Sequence, residues 1–276
     1  MSNNDMVCLM KSDLFKLKKH KSVWIGMAVM FAVILLQYCV YWFALLLTDE
    51  AGSIVEGDDI QMAVAAAYAL GRSLLAGYSD TAMISLLTLI ITCIFVGKEF
   101  SSGWMRVTVS RGANRIKLYF SKWLSLACLI LVYSVLAFLI CGIFTSFKGY
   151  GIEFDGHQFG LLMRCFILQI LCNLSAMSIA LMLTFLIRSS GGSLGACIGL
   201  YIGFNLILSI VQAVSMLNGN INSDWIMFMP LQQTAVASTL EKLTTTQICA
   251  VAIMPIVYTA IAMTVSLLTF IKRDIK

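Results

Sequence analysis

Residues 95–118 read FVGKEFSSGWMRVTVSRGANRIKL, a cluster of charge with long apolar runs on either side of it. That contrast decides the fold. In hydrocarbon every backbone amide must be bonded within its own segment, so a run of about 20 apolar residues is a crossing helix. A charged break between two such runs lies at a membrane surface. Six runs qualify: Val23–Leu47, Thr81–Gly97, Trp123–Phe147, Leu161–Ile187, Leu194–Leu217 and Gln247–Ile271. The 276 residues are 60% hydrophobic and 12% charged, where soluble domains carry roughly twice that charge. Mean hydropathy is +0.90. The chain therefore reads as an all-α integral membrane protein with six transmembrane helices, residues 1–22 forming a leader and 23–276 the six-span domain. The first run is too long, and starts too far into the chain, for a signal peptide, and is read as a span.

Charge placement predicts sidedness, because Lys and Arg concentrate in cytoplasmic loops. With N- and C-termini both cytoplasmic, the inner segments hold Lys11, Lys16, Lys18, Lys19 and Lys21, then Lys98, Arg106, Arg111, Arg115, Lys117 and Lys122, then Arg188, and finally Lys272, Arg273 and Lys276. The outer loops hold only Arg72, Lys148 and Lys242, together with most of the acids, including Asp49, Glu50, Glu56, Asp58 and Asp59. The net charge of +5 thus reflects orientation and implies no nucleic-acid partner.

The leader from Met6 to His20 has helical periodicity. Met6, Val7, Met10, Leu14 and Leu17 form one stripe, with Lys11, Lys16, Lys18 and Lys19 around the rest. This predicts an amphipathic helix in the inner interface, its cations against anionic head groups; a solvated tail whose lysines only set orientation is the other reading. A second amphipathic stretch, Ile60–Leu75, falls on the outer side, in the 48–80 loop, without an assigned role.

Chemistry-bearing motifs are missing from the sequence. It has no GxxxxGK[ST] phosphate loop and no HExxH, and its GxSxG match, GGSLG at 191–195, lies between two apolar helical runs and not after a strand, so no catalytic residues are assigned and the chain is not read as an enzyme. Eight of the nine cysteines lie in the runs, none pairs as CxxC, and the only histidines are His20 and His157; no metal site is expected. Coupling ions are usually bound by an Asp, Glu or His inside the membrane, and the six runs contain none. Arg164 is their only charge and lies near an outer end, where it can snorkel. Uphill transport by this chain would need energy from another subunit.

Here the opening stretch acquires a second meaning. KEFSSGWMR, then SRGANR, then a lysine opening the next span, resembles the coupling segment of ABC type-2 permeases. The resemblance extends to the basic amphipathic leader, the six spans, FMPLQQTAVAS before the last of them, and the closing TFIKRDIK. It implies that residues 98–117 carry a short cytoplasmic helix that docks on an ATP-binding subunit, with an acid followed four residues later by glycine. Glu99 and Gly103 match these positions; Trp104 departs from the family, which often has threonine there. The segment assigned to ATPase coupling comprises Glu99, Phe100, Ser102, Gly103, Trp104, Arg106, Arg111 and Arg115. Ser101 or Ser102 is suited to cap the short helix, Gly103 admits close backbone approach, and the arginines offer forked donors for carboxylates. An ordinary basic orientation loop is the competing reading.

Polar positions inside the spans supply the remaining candidates. Gln37 with Tyr41, and Gln169 with Asn173, share helix faces by i, i+4 spacing, and Asn205, Ser209 and Gln212 form a third stripe. They line a substrate path or bond packed helices to one another. Gly195, Gly199 and Gly203 suggest close helix packing. Residues 225–238, broken by Pro230 and too short to span, are read as an outer re-entrant segment, as in the resembling family, or as a surface helix.

The resemblance implies the transmembrane subunit of an ATP-driven exporter in a bacterial plasma membrane, moving an amphipathic or hydrophobic cargo by alternating access, with peptide antibiotics and lipid-like compounds, self-immunity and resistance included. Its partners would be cytoplasmic ABC ATPase subunits, a second permease copy or paralogue, and the lipid bilayer. The chain itself would bind no cofactor; ATP and Mg would sit on the ATPase. The alternative is a non-transporting membrane scaffold or assembly subunit.

Overall fold

The computed structural model describes residues 3–51, 83–112, 114–147, 156–218 and 245–272. Within them the chain is helical throughout, without strands: α1 (Asn3–Lys19), α2 (Lys21–Ala51), α3 (Met83–Ser101), α4 (Trp104–Ser110), α5 (Arg115–Phe147), α6 (Gly156–Ile187), α7 (Ser190–Asn218) and α8 (Thr245–Lys272). Five helices, α3 and α5 to α8, are each long and apolar enough to cross a membrane, and the bent pair Cys8–Lys19 with Lys21–Leu36 makes a sixth candidate when taken together. The outer stretch Ile60–Leu75 and the segment 225–238 lie outside the described residues.

The bend between α1 and α2 is 58° and has a local cause at His20. Its amide closes onto Leu17 O at 3.1 Å, its carbonyl accepts from Val23 N–H at 3.1 Å, and its Nδ1 accepts the Ser22 backbone N–H at 3.3 Å. The imidazole thus satisfies a donor that the new helix leaves open, as Ser or Asp does at an ordinary N-cap. Trp24 ties the elbow from the other side, its Nε1–H donating to Lys18 O at 2.9 Å.

α3 is the most enclosed crossing helix and α7 among the least, with 72% and 11% of their apolar windows buried. Inside a bilayer, helices are held by close packing and interhelical hydrogen bonds more than by the hydrophobic effect. Both devices are present. A Cβ on Gly97 would stand 2.6 Å from Ser190 Cα, so α3 and the start of α7 touch backbone to backbone. Tyr133 of α5 donates to Val23 O of α2 at 2.7 Å, and Trp123 of α5 donates to Ser178 Oγ of α6 at 3.0 Å. At the basic end of the bundle Phe185 of α6 meets Phe100 of α3, Tyr119 of α5 and Phe270 of α8, with ring centroids 5.1, 5.3 and 5.0 Å away in edge-to-face geometry. This aromatic hub gives four helices a common floor.

One expectation about glycine and one about a helix boundary change. Gly195, Gly199 and Gly203 would meet nothing within 4 Å if given a Cβ, so this face of α7 is not packed against any of the described residues. The boundary of the third run also moves: α5 begins at Arg115, which puts Lys117 and Lys122 on a continuous helix.

Candidate functional site

The charged stretch 98–117 divides into three pieces that meet α1. α3 runs on to Ser101, and its end is closed by the serines themselves: Ser101 Oγ donates to Lys98 O at 3.0 Å and Ser102 Oγ to Glu99 O at 3.3 Å. They finish the preceding helix and do not cap the next one. α4 starts instead at Gly103, at φ 71° and without a side-chain cap. Nothing lies within 4 Å of a Cβ there, so the position calls for glycine by its left-handed backbone and not by close approach. Gly112 repeats the device, at φ 85°, just beyond α4. The short helix is thus a seven-residue element between two glycine corners.

Behind α4 is a network of buried charge. Lys122 of α5, 0% exposed, bonds the carboxylates of Asp13 on α1 and Glu99 on α3. The Glu99 contact is 2.7 Å, and Ser121 Oγ adds a bond to Asp13 Oδ2 at 2.8 Å. Lys16 completes the group, 3.4 Å from Glu99 and 4.0 Å from Asp13, and its ammonium stands over the Trp104 ring, 2.9 Å from the centroid. Two carboxylates and two ammoniums cancel, which allows Asp13, Glu99 and Lys122 to sit out of water while Lys16 stays partly exposed. Desolvation pulls the Lys16 pKa down, with Lys122 adding to that effect while Glu99 and Asp13 oppose it. The unit pins α1, α3 and α5 together, and through Trp104 it holds the start of α4.

The residues assigned to coupling from the sequence each have a place in this arrangement. Glu99, 8% exposed, faces inward with its charge engaged inside the chain. Phe100 joins the aromatic hub. Trp104 is partly buried, whereas its neighbour Met105 is fully buried and anchors α4 to the bundle. Arg115 donates to Phe270 O at 3.2 Å and Ile271 O at 2.9 Å, closing the C-terminus of α8 where a cation also suits the helix dipole. Arg106 and Arg111, with Val107 and Ser102, remain exposed. The exposed surface of this stretch is therefore small, basic and centred on α4.

The polar stripes are described in part. Gln169 and Asn173 of α6 are both buried, inside the bundle and away from the basic end. Asn205 donates to Tyr201 O of its own helix at 2.8 Å. Gln37 and Tyr41 lie on α2, and Ser209 and Gln212 on α7; their side chains are outside the described residues. The structure thus separates the interior amides from the charged network and brings no two stripes together among the described side chains. It holds no cluster of three or more metal-ligating side chains among the described residues.

Asp13, Lys122 and Met105 were missed from sequence. Asp13 carried a signal, because it lies three residues after Met10 and four before Leu17, on the apolar stripe of a lysine-rich helix, where an acid needs a buried partner.

Residues 53–276 match the family model described as a protein of unknown function, DUF2705. The chain belongs to that family. No curated protein matches it.

Proposed function

We propose that this chain is the transmembrane permease subunit of an ATP-driven ABC exporter, with six spans and both termini in the cytoplasm of a bacterial cell. α2 is then the first span and α1 the interfacial leader. Two chains, or this chain and a paralogue, enclose the transport path. Separate ATPase subunits bind ATP and Mg and dock at α4. An amphipathic or hydrophobic cargo suits the apolar interior. The observation that carries the reading is the construction of α4: a short helix with outward arginines, flanked by glycine corners and tied to two long helices and the leader by one buried charge network. Such a lever can pass a push from a soluble partner into the helices, because packed elements move as rigid bodies. An orientation loop needs the arginines but has no use for the buried network behind them. The open face of α7, with Gly195, Gly199 and Gly203, suits contact with a second permease.

Two measurements together test this reading. An impermeant thiol reagent on intact cells should miss Ser102→Cys and label Ser53→Cys. Affinity capture of the tagged chain from mild detergent should bring down a subunit with nucleotide-binding motifs. Reversed labelling, or capture without any ATPase under conditions that preserve other membrane complexes, would sink the proposal.

A further inference from the structure

The outer side of the elbow between α1 and α2 forms an open groove of about 600 Å³, lined from α1 by Phe15 and Lys19, from the bend by His20, and from α3 by Phe95 and Lys98. Lys16 and Glu99 also reach it, but both belong to the neutral four-charge network. The groove's potential is therefore set by Lys19 and Lys98. Both are exposed, and neither forms an ion pair among the described residues. Lys19 stands over the Phe15 ring, 4.7 Å from its centroid, so cation and apolar surface adjoin. Phe95, itself buried, backs the groove, its ring edge-to-face with His20 at 6.0 Å. Because His20 Nδ1 accepts the Ser22 N–H, the neutral ring carries its proton on Nε2 and offers a donor. Burial first, and the Lys98 charge second, keep the His20 pKa below its ordinary value, with Glu99 opposing them, so the ring is held neutral chiefly by desolvation.

We infer that this groove is a binding site for one anionic phospholipid, its phosphate held by Lys19, Lys98 and the His20 N–H and its acyl region lying on the exposed Phe15 ring. The inference rests on the membrane reading, with the elbow at the lipid–water boundary, and needs neither transport nor an ATPase. Two cations with one neutral donor match a phosphodiester. The exposed Phe15 ring matches the chains that follow it, which a free phosphate lacks. The site differs from general attraction between a basic helix and an acidic surface, because its cations come from two helices far apart in sequence and Lys11 of the same leader has no part in it.

The test is lipid retention by the purified full chain, read by native mass spectrometry after exchange from nanodiscs containing phosphatidylglycerol and phosphatidylcholine. One phosphatidylglycerol should stay bound. The double variant Lys19→Ala/Lys98→Ala should weaken it by roughly thirtyfold, as expected for two lysines at an anionic head group, while Lys11→Ala leaves it unchanged. All three lysines are exposed, so folding is not at stake, and circular dichroism checks it. Equal retention of phosphatidylcholine would overturn the site. So would equal loss in Lys11→Ala, or displacement of the lipid by millimolar inorganic phosphate, which would mark the groove as a free-anion site. Loss of ATPase capture with lipid retention intact would count against the permease reading and leave the lipid site standing.

Discussion

Replacing Lys122 by Met tests whether the buried charge network holds the leader in place. The substitution keeps the length of the side chain and removes its charge, leaving Asp13 and Glu99 facing each other in a site that is 1% and 8% exposed at those residues. Removing one partner of a buried ion pair costs about 3–5 kcal/mol, because the other charge remains desolvated. Lys16 still stands 3.4 Å from Glu99 and 4.0 Å from Asp13 and offsets part of this, so the low end, about 3 kcal/mol, applies. An exposed pair would contribute only about 0–1 kcal/mol. At ~1.4 kcal/mol per tenfold, local opening of α1 should become roughly a hundredfold more frequent. Hydrogen exchange of the leader amides in nanodiscs reads this directly. The double variant Asp13→Asn/Lys122→Met should recover part of the loss, with a coupling of about 1–3 kcal/mol. Exchange unchanged in Lys122→Met, or raised equally by Lys11→Met on the exposed face, would refute the reasoning.

Gly97→Ala should lower the thermal midpoint in detergent more than Gly26→Ala, by an amount in the range of about 1–3 kcal/mol for overpacking. The new Cβ at Gly97 meets Ser190 backbone at 2.6 Å, whereas at Gly26 the nearest atom, at 2.7 Å, is the end of the Ile91 side chain, which can turn away; equal midpoints would contradict this. Acidification should loosen the elbow. His20 has a folded pKa below its ordinary 6.5, so its contribution is present above that pH and is lost as pH falls through the lower folded value. In neutral-lipid nanodiscs the thermal midpoint should fall below pH 6.5 more steeply for the wild type than for His20→Gln, and parallel profiles would remove His20 as the cause.

The helices were legible because a run of apolar residues in lipid has one way to satisfy its backbone. Boundaries were less so: the positions from Arg115 to Lys122 look like loop by charge, yet they are the first turns of α5, stabilised by contacts that composition does not express. Asp13 and Lys122 lie 109 positions apart, and only folding brings them together. Ser101 and Ser102 were read forward as caps because a serine before a helix usually serves it, but their hydroxyls reach back to α3. The glycines of α7 mark a close-packing surface by pattern, and the pattern does not say whether the partner belongs to the same chain. Glu99 was read as an acid facing an ATPase, and its carboxylate pairs with Lys122 and Lys16 of its own chain. Its engagement inside the bundle follows from where Lys122 lies, which sequence spacing leaves open.

A photo-crosslinking amino acid at Val107 tests the central claim most directly. Val107 is exposed on α4, between Arg106 and the turn at Arg111, and Ile210 is exposed on α7. In native membranes, irradiation of the Val107 derivative should join the chain to an ATP-hydrolysing subunit, and the Ile210 derivative should give no such adduct. No ATPase adduct from Val107, or the same adduct from Ile210, would contradict α4 as the docking helix of a permease.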